Sequence, residues 1–114
     1  MTTVKFTLNE KGEIICFSLS GHSGYAEEGS DIVCAAISSC VQMLEICIAE
    51  VIGESRASFK IEGDAKISFK LTENLSVNEK TAVGSMLSGF FRYMQLLGEH
   101  YKDYLSLETE VKKC

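Results

Sequence analysis

GHSGYAEEGSDIVCAAISSC, residues 21–40, changes character half-way. A polar segment holding Gly21, Gly24 and Gly29 gives way to an apolar run that continues to residue 52. Glycine gives a loop backbone freedom, and Ser30 and Asp31 are both good N-cap residues. The spacing therefore predicts a helix over Ile32–Ile52. It is apolar nearly all round, broken by Ser38, Ser39, Gln42, Glu45 and Glu50, so it reads as either a buried helix or a membrane span. Its length would suffice for a bilayer, but two glutamates in its second half are expensive in hydrocarbon. The expectation is a core helix and no membrane.

Upstream of the loop, Thr3, Lys5 and Thr7 alternate with Val4, Phe6 and Leu8, the period-two signature of a half-buried strand. Asn9-Glu10-Lys11-Gly12 supplies a turn, and Ile14–Ser20 returns as the hairpin partner. Downstream, residues 56–62 and 65–71 alternate around Gly63-Asp64, where glycine first suits a type II′ turn. Ser76-Val77-Asn78-Glu79 has the form of a capping box, and Val83, Met86, Leu87, Phe90, Met94, Leu97 and Tyr101 follow on one helical face. Gly84 and Gly89 lie inside that helix at a cost of about 1 kcal/mol each, which implies a close approach to its backbone, by another element or by a peptide in a groove. Gly98 reads as the left-handed residue just past the helix end. Residues 104–111 form a last strand. The order strand-strand-helix-strand-strand-helix-strand defines an α+β class, a small mixed sheet packed by two helices, in a single domain over residues 1–114.

Composition narrows the function. With 114 residues, 46% hydrophobic and 24% charged, the chain has the balance of an ordinary soluble domain. Net charge is -5 and the pI about 5.0, and Lys112-Lys113 is its longest basic run, so no broad nucleic-acid face is expected and a basic protein partner is more natural. The N-terminal segment lacks the charged and apolar regions of a signal peptide, which points to the cytoplasm. Five cysteines without a CxxC pair fit reduced thiols better than a disulfide framework or a zinc site.

Among those thiols Cys34 stands apart, because it falls in the first turn of the long helix. There the unpaired N–H groups and the positive end of the macrodipole favour a thiolate, and the same donors can meet the oxyanion of a tetrahedral intermediate. A nucleophile also needs a proton carrier, and the chain offers two histidines, His22 and His100. His22 ends the second strand directly before the loop; His100 belongs to the far end of the second helix. Asp31 can orient His22 or cap the helix. Ser38, one turn after Cys34, can face substrate or bond back to a helix carbonyl. Cys40 and Cys47 share a face and read as small core hydrophobes. Glu27 and Glu28 make the glycine loop acidic, as in a lid or any solvated loop.

Gly21-His22, the loop, and Ser30-Asp31-Ile32-Val33-Cys34-Ala35-Ala36-Ile37-Ser38 together resemble closely the ribosomal-processing cysteine protease (Prp) family of bacteria, and the resemblance extends to length and element order. It implies Cys34 as nucleophile and His22 as its base, with Asp31 and Ser38 as supporting neighbours. It implies a substrate too, the N-terminal extension of bacterial large-subunit ribosomal protein twenty-seven, together with a homodimer and a substrate loop built on Gly21, Gly24 and Gly29. The chemistry is acyl transfer without metal or cofactor. Two other classes fit the residues: a non-enzymatic ribosome-assembly binding protein, and a thiol redox sensor.

Overall fold

The computed structural model describes residues 1–27, 31–57, 59–63 and 66–112. The first alternating segments form β1 (Thr2–Leu8) and β2 (Ile14–Ser20), antiparallel with Phe6 opposite Phe17. Asn9 makes the turn between them: its side-chain Oδ1 accepts from the N–H groups of Lys11 and Glu13, both at 3.0 Å, and Gly12 takes φ 81°. The long apolar run is α1 (Ile32–Ile52). The second hairpin is β3 (Phe59–Glu62) and β4 (Lys66–Lys70), then come α2 (Val77–His100) and β5 (Leu105–Val111). Gly63 has the positive φ expected of its turn, 68°, while Asp64 lies outside the described residues. The element order and the α+β class are those expected.

The five strands lie in the order β3-β4-β2-β1-β5. All neighbours are antiparallel except β1 and β5, which run parallel from Thr2 opposite Leu105 to Leu8 opposite Val111. Inward-facing aromatics cross the sheet along the register. Phe6, Phe17, Phe69 and Phe59 follow one another at ring separations of 6.0, 5.6 and 4.7 Å, and Phe90 of α2 sits on Phe17 at 4.9 Å. Val4, Leu19 and Leu105 complete this face of the core, against Val33, Ile37, Val41, Leu44, Ile48 and Ile52 of α1 and Val83, Leu87, Met94 and Leu97 of α2. Each such side chain withdrawn from water contributes roughly 1.5–3 kcal/mol of transfer free energy. The opposite alternation is polar: Glu110 pairs with Lys5 and Lys112, each at 3.3 Å, and accepts from Thr7.

Three local expectations change. The strand predicted over residues 56–62 is shorter, because Gly53 (φ 86°) stops α1 and Glu54–Arg56 forms a single 3-10 turn. Arg56 then serves as a tie rather than a strand residue, donating to the carbonyls of Ile52 and Asn74 and pairing with Glu79. Gly98 does not end α2, which runs to His100 with Tyr101 as C-cap. It lets β5 approach instead, since a Cβ there would lie 3.3 Å from the Leu107 side chain. Gly84 and Gly89 show no such approach: a Cβ on either meets open space, so close packing does not explain them.

The α1 helix is long and apolar enough to cross a bilayer by length and composition. Its buried positions recur at three- and four-residue intervals and join the core, whereas Ile32, Met43 and Ile46 on its outer side are 53%, 68% and 62% exposed. It is thus a one-sided core helix rather than one buried all round. Cys40 and Cys47 are half-buried on it, and burial pushes the Cys40 thiol up.

Candidate active site

β2 ends at Ser20, and the chain turns sharply through Gly21 at φ 84°. No side chain fits there, for a Cβ would stand 2.5 Å from the carbonyl oxygen of Met1. Gly24 at φ 75° makes a second turn. Between them His22 is exposed to solvent while Ser23 is buried. The loop then returns to Asp31, which is extended (φ -81°, ψ 101°) and caps α1. Tyr25 packs edge-on against Tyr101 and Tyr104 at 5.7 and 5.1 Å, which fastens this part of the loop to the end of α2. Gly29 and Ser30, named from the sequence as loop glycine and alternative cap, lie outside the described residues.

Asp31 is the hub. Its Oδ1 accepts from the N–H groups of Val33 and Cys34, both at 3.0 Å, and its Oδ2 accepts from the Ser23 hydroxyl and, at 3.2 Å, from the Tyr25 N–H. Burial of the carboxylate works to raise its pKa, but these hydrogen bonds, with Ser23 and the Cys34 amide foremost, outweigh it and hold Asp31 at about 2 instead of 3.8. Asp31 is accordingly a capping anion near neutral pH. Among the described residues no hydrogen bond joins it to His22.

One sequence expectation fails at this point. Three of the N–H groups imagined for an oxyanion at the start of α1 are already engaged, those of Val33 and Cys34 by the Asp31 carboxylate and that of Ala35 by the Asp31 carbonyl at 3.0 Å. A short carboxylate at the N-cap takes the donors first.

Cys34 is half-buried and carries a free thiol. Its Sγ donates toward Ser23 Oγ at 3.4 Å and accepts from the Ser23 N–H at 3.5 Å. No hydrogen bond links it to His22 among the described residues, but both line one cleft of about 520 Å³, with Asp31 and Ser38. Leu19, Ile37, Val41 and Ile67 give that cleft an apolar wall, and Lys66 at the start of β4 stands at its rim. His100 is exposed at the end of α2 and is not among the cleft's lining residues.

A family of proteins described as cysteine protease Prp matches residues 1–106. The chain belongs to that family. It is therefore a cysteine peptidase by descent. The ribosomal processing cysteine protease Prp of Bacillus subtilis is 24% identical over 103 residues, which span 90% of this chain and 91% of the relative. The fold recurs in the essential ribosomal processing protease Prp of S. aureus, solved with a covalently linked product peptide, at a TM-score of 0.80 and 20% identity over 96% of this chain and all of the other. SMU.848 from Streptococcus mutans has it too, at 0.76 and 21% identity over 98% and 96% of the two chains.

Sequence reasoning overlooked Ser23, Tyr25 and Lys66. Ser23 stands beside a histidine in a polar loop, and nothing in its spacing distinguishes it from a solvated serine. Only the two glycine turns bring it against Cys34.

Proposed function

We propose that this peptidase removes the N-terminal extension of bacterial large-subunit ribosomal protein twenty-seven, in the cytoplasm and as a homodimer, with Cys34 as nucleophile and His22 as general base. The observation that carries the reading is that the histidine and the cysteine singled out from the sequence, His22 and Cys34, open onto the same apolar-walled cleft. The Bacillus and S. aureus relatives are named as ribosomal processing proteases, and an acidic enzyme of net charge -5 suits a basic ribosomal substrate.

In the cycle Cys34 Sγ attacks the scissile carbonyl carbon and forms a C–S bond while its proton passes to His22. His22 returns that proton to the departing amine as the C–N bond breaks. Water, deprotonated by His22, then releases the acyl group and regenerates the thiol. Ser38, exposed on the cleft one turn after Cys34, offers a hydroxyl to the substrate carbonyl now that the first amides of α1 are engaged. Gly21 and Gly24, both at positive φ, give the substrate loop its turns, and Gly29 belongs to the same stretch of sequence. The apolar side chains of Ile32, Met43 and Ile46 are available to a second copy.

The test is mass spectrometry of the ribosomal protein, made with its native N-terminus and incubated with wild-type chain or with Cys34→Ala. A single cut at the end of the extension, seen with wild type alone, is the expected result. An uncut but bound substrate would overturn the protease reading in favour of an assembly factor. Sedimentation of the free chain tests the homodimer, and a monomer at micromolar concentration would remove it.

A further inference from the structure

Ser23 is 2% exposed, and its hydroxyl has no place in the cycle above and touches the Cys34 thiol. A buried hydroxyl has one hydrogen to give and two lone pairs to receive with. Here its surroundings fix which group gets the hydrogen. The Asp31 carboxylate accepts at Oδ2 and has nothing to donate in return. Ser23 Oγ must therefore give its hydrogen to Asp31, and it faces Cys34 Sγ, 3.4 Å away, with a lone pair. Such an oxygen welcomes S–H and repels S⁻, in opposition to the Ser23 N–H, which donates to the same sulfur at 3.5 Å and stays in place when only the side chain is changed. The Tyr25 N–H, 3.3 Å from Ser23 Oγ and 3.2 Å from Asp31 Oδ2, reinforces the same polarity.

We propose that Ser23 is a positioning residue that holds Cys34 in its protonated thiol form, its hydroxyl polarised by Asp31, until the thiol turns to His22 as substrate enters the cleft. The inference rests on the reading of Cys34 as nucleophile, but its geometry is independent of what the enzyme cuts. The step it governs is a proton relocation: the Sγ–H bond stops pointing at Ser23 Oγ and gives its proton to the imidazole of His22, leaving the thiolate for attack. Among the described residues, the charged and titratable groups that line the cleft with Cys34 are His22 from the loop, Asp31 from the start of α1 and Lys66 from β4. His22 and Lys66 favour a thiolate there and Asp31 opposes it. Ser23 adds its weight to Asp31, so the resting enzyme keeps its nucleophile quiet toward adventitious electrophiles.

The experiment is alkylation of the full chain by iodoacetamide as a function of pH, with modification at Cys34 read by mass spectrometry, for wild type, Ser23→Ala and Asp31→Asn. Loss of one neutral acceptor bond corresponds to roughly a fivefold change, so Ser23→Ala is expected to label Cys34 about fivefold faster at pH 7, with the acidic limb of the profile displaced to lower pH. Asp31→Asn keeps an oxygen for the helix amides and lets its amide donate to Ser23, which frees the Ser23 hydrogen for Cys34. Labelling should rise here as well. Because loss of the Asp31 charge speeds labelling by itself, a rise in Asp31→Asn counts only beside a rise in a variant without the Ser23 hydroxyl, and Ser23→Gly supplies that variant if Ser23→Ala loses the fold. A purely structural serine predicts an unmoved profile in the folded variant, and a serine that donates to the thiolate predicts slower labelling; either result overturns the proposal. Peptide cleavage by Cys34→Ala is run alongside: activity there would sink the nucleophile assignment without touching the labelling result.

Discussion

The two long helices begin by the same local physics and to different ends. At the start of α2, Ser76 accepts from the Glu79 N–H at 3.1 Å while the Glu79 side chain accepts from the Ser76 N–H at 2.9 Å, a reciprocal cap on the exposed surface. At the start of α1, Asp31 is buried and its second oxygen reaches outward to Ser23 and Tyr25. One cap reaches outward only to a structural tie, the Arg56 guanidinium that pairs with Glu79. The other is shared with a loop and, through Ser23, with a thiol. A helix start becomes chemically interesting when the group its cap engages outside the helix is itself in contact with a nucleophile.

The sharpest way to break the contrast is to remove the chemistry from one side. Cys34→Ala is expected to abolish peptide cleavage with an unchanged circular dichroism spectrum and melting curve, and His22→Ala to lower it by about 10²–10⁴-fold. Full activity in either variant would make α1 as inert as α2.

The caps themselves come next. Ser76→Ala should cost about 1 kcal/mol in denaturant unfolding and leave cleavage as it was. Asp31→Ala should cost more stability than that and cleavage besides, because it strands the Ser23 hydroxyl and two amides at once. Equal losses from the two would mean that the α1 cap is no more than local.

A smaller effect lies in the acid limb of stability. The folded value of Asp31, about 2, is below its ordinary 3.8, so the carboxylate stabilises the native state above the ordinary value and that contribution fades between about pH 5 and pH 2. Glu79 is also held low, chiefly by its hydrogen bond from Arg56, and loses its share over the same descent. Unfolding by urea from pH 6 to pH 3 should show a flatter fall for Asp31→Asn than for wild type. An identical fall would mean that the Asp31 carboxylate is not held low in the native state.

The smallest change sharpens the picture of α2 as scaffold. Gly84→Ala enters open space and should stabilise by about 0.5–1 kcal/mol without affecting cleavage. At Gly98 the same replacement meets Leu107 at 3.3 Å, and the propensity gain should be cancelled by crowding. A thermal melt of each variant separates them.

The reciprocal part of the α2 cap was legible in the sequence, because Ser76 and Glu79 lie three residues apart, whereas Arg56, which pairs with Glu79 from far along the chain, was read as a strand residue. The strand alternation of Val4 and Phe6 was legible because it too is local. The end of α1 at Ile52 was legible, but the late start of β3 was not, because the alternation from Arg56 hid the single 3-10 turn at Glu54–Arg56, and Gly98 looked like a terminus because its contact, Leu107, is supplied by another element. The site divided along the same line. Asp31 and Cys34 sit within one helical turn and could be read together, whereas Ser23 meets them only through the positive φ of Gly21 and Gly24. The engagement of the α1 amides followed from choosing Asp31 as cap, yet it removed the oxyanion donors that the helix start had seemed to offer.

The parallel pairing of β1 with β5 sets a schedule. Thr2 belongs to both that pairing and the cleft, and its N–H is held by the carbonyl of Tyr104 at 2.9 Å. During synthesis the histidine, the serine and the cysteine are all made early, but the strand that secures the floor beneath them is made late, and contacts so distant in sequence form slowly. A ribosome that has not yet made residues 105–111 therefore carries His22, Ser23 and Cys34 without the parallel partner that holds Thr2 at the cleft, so that edge of the cleft is completed after its polar groups are made.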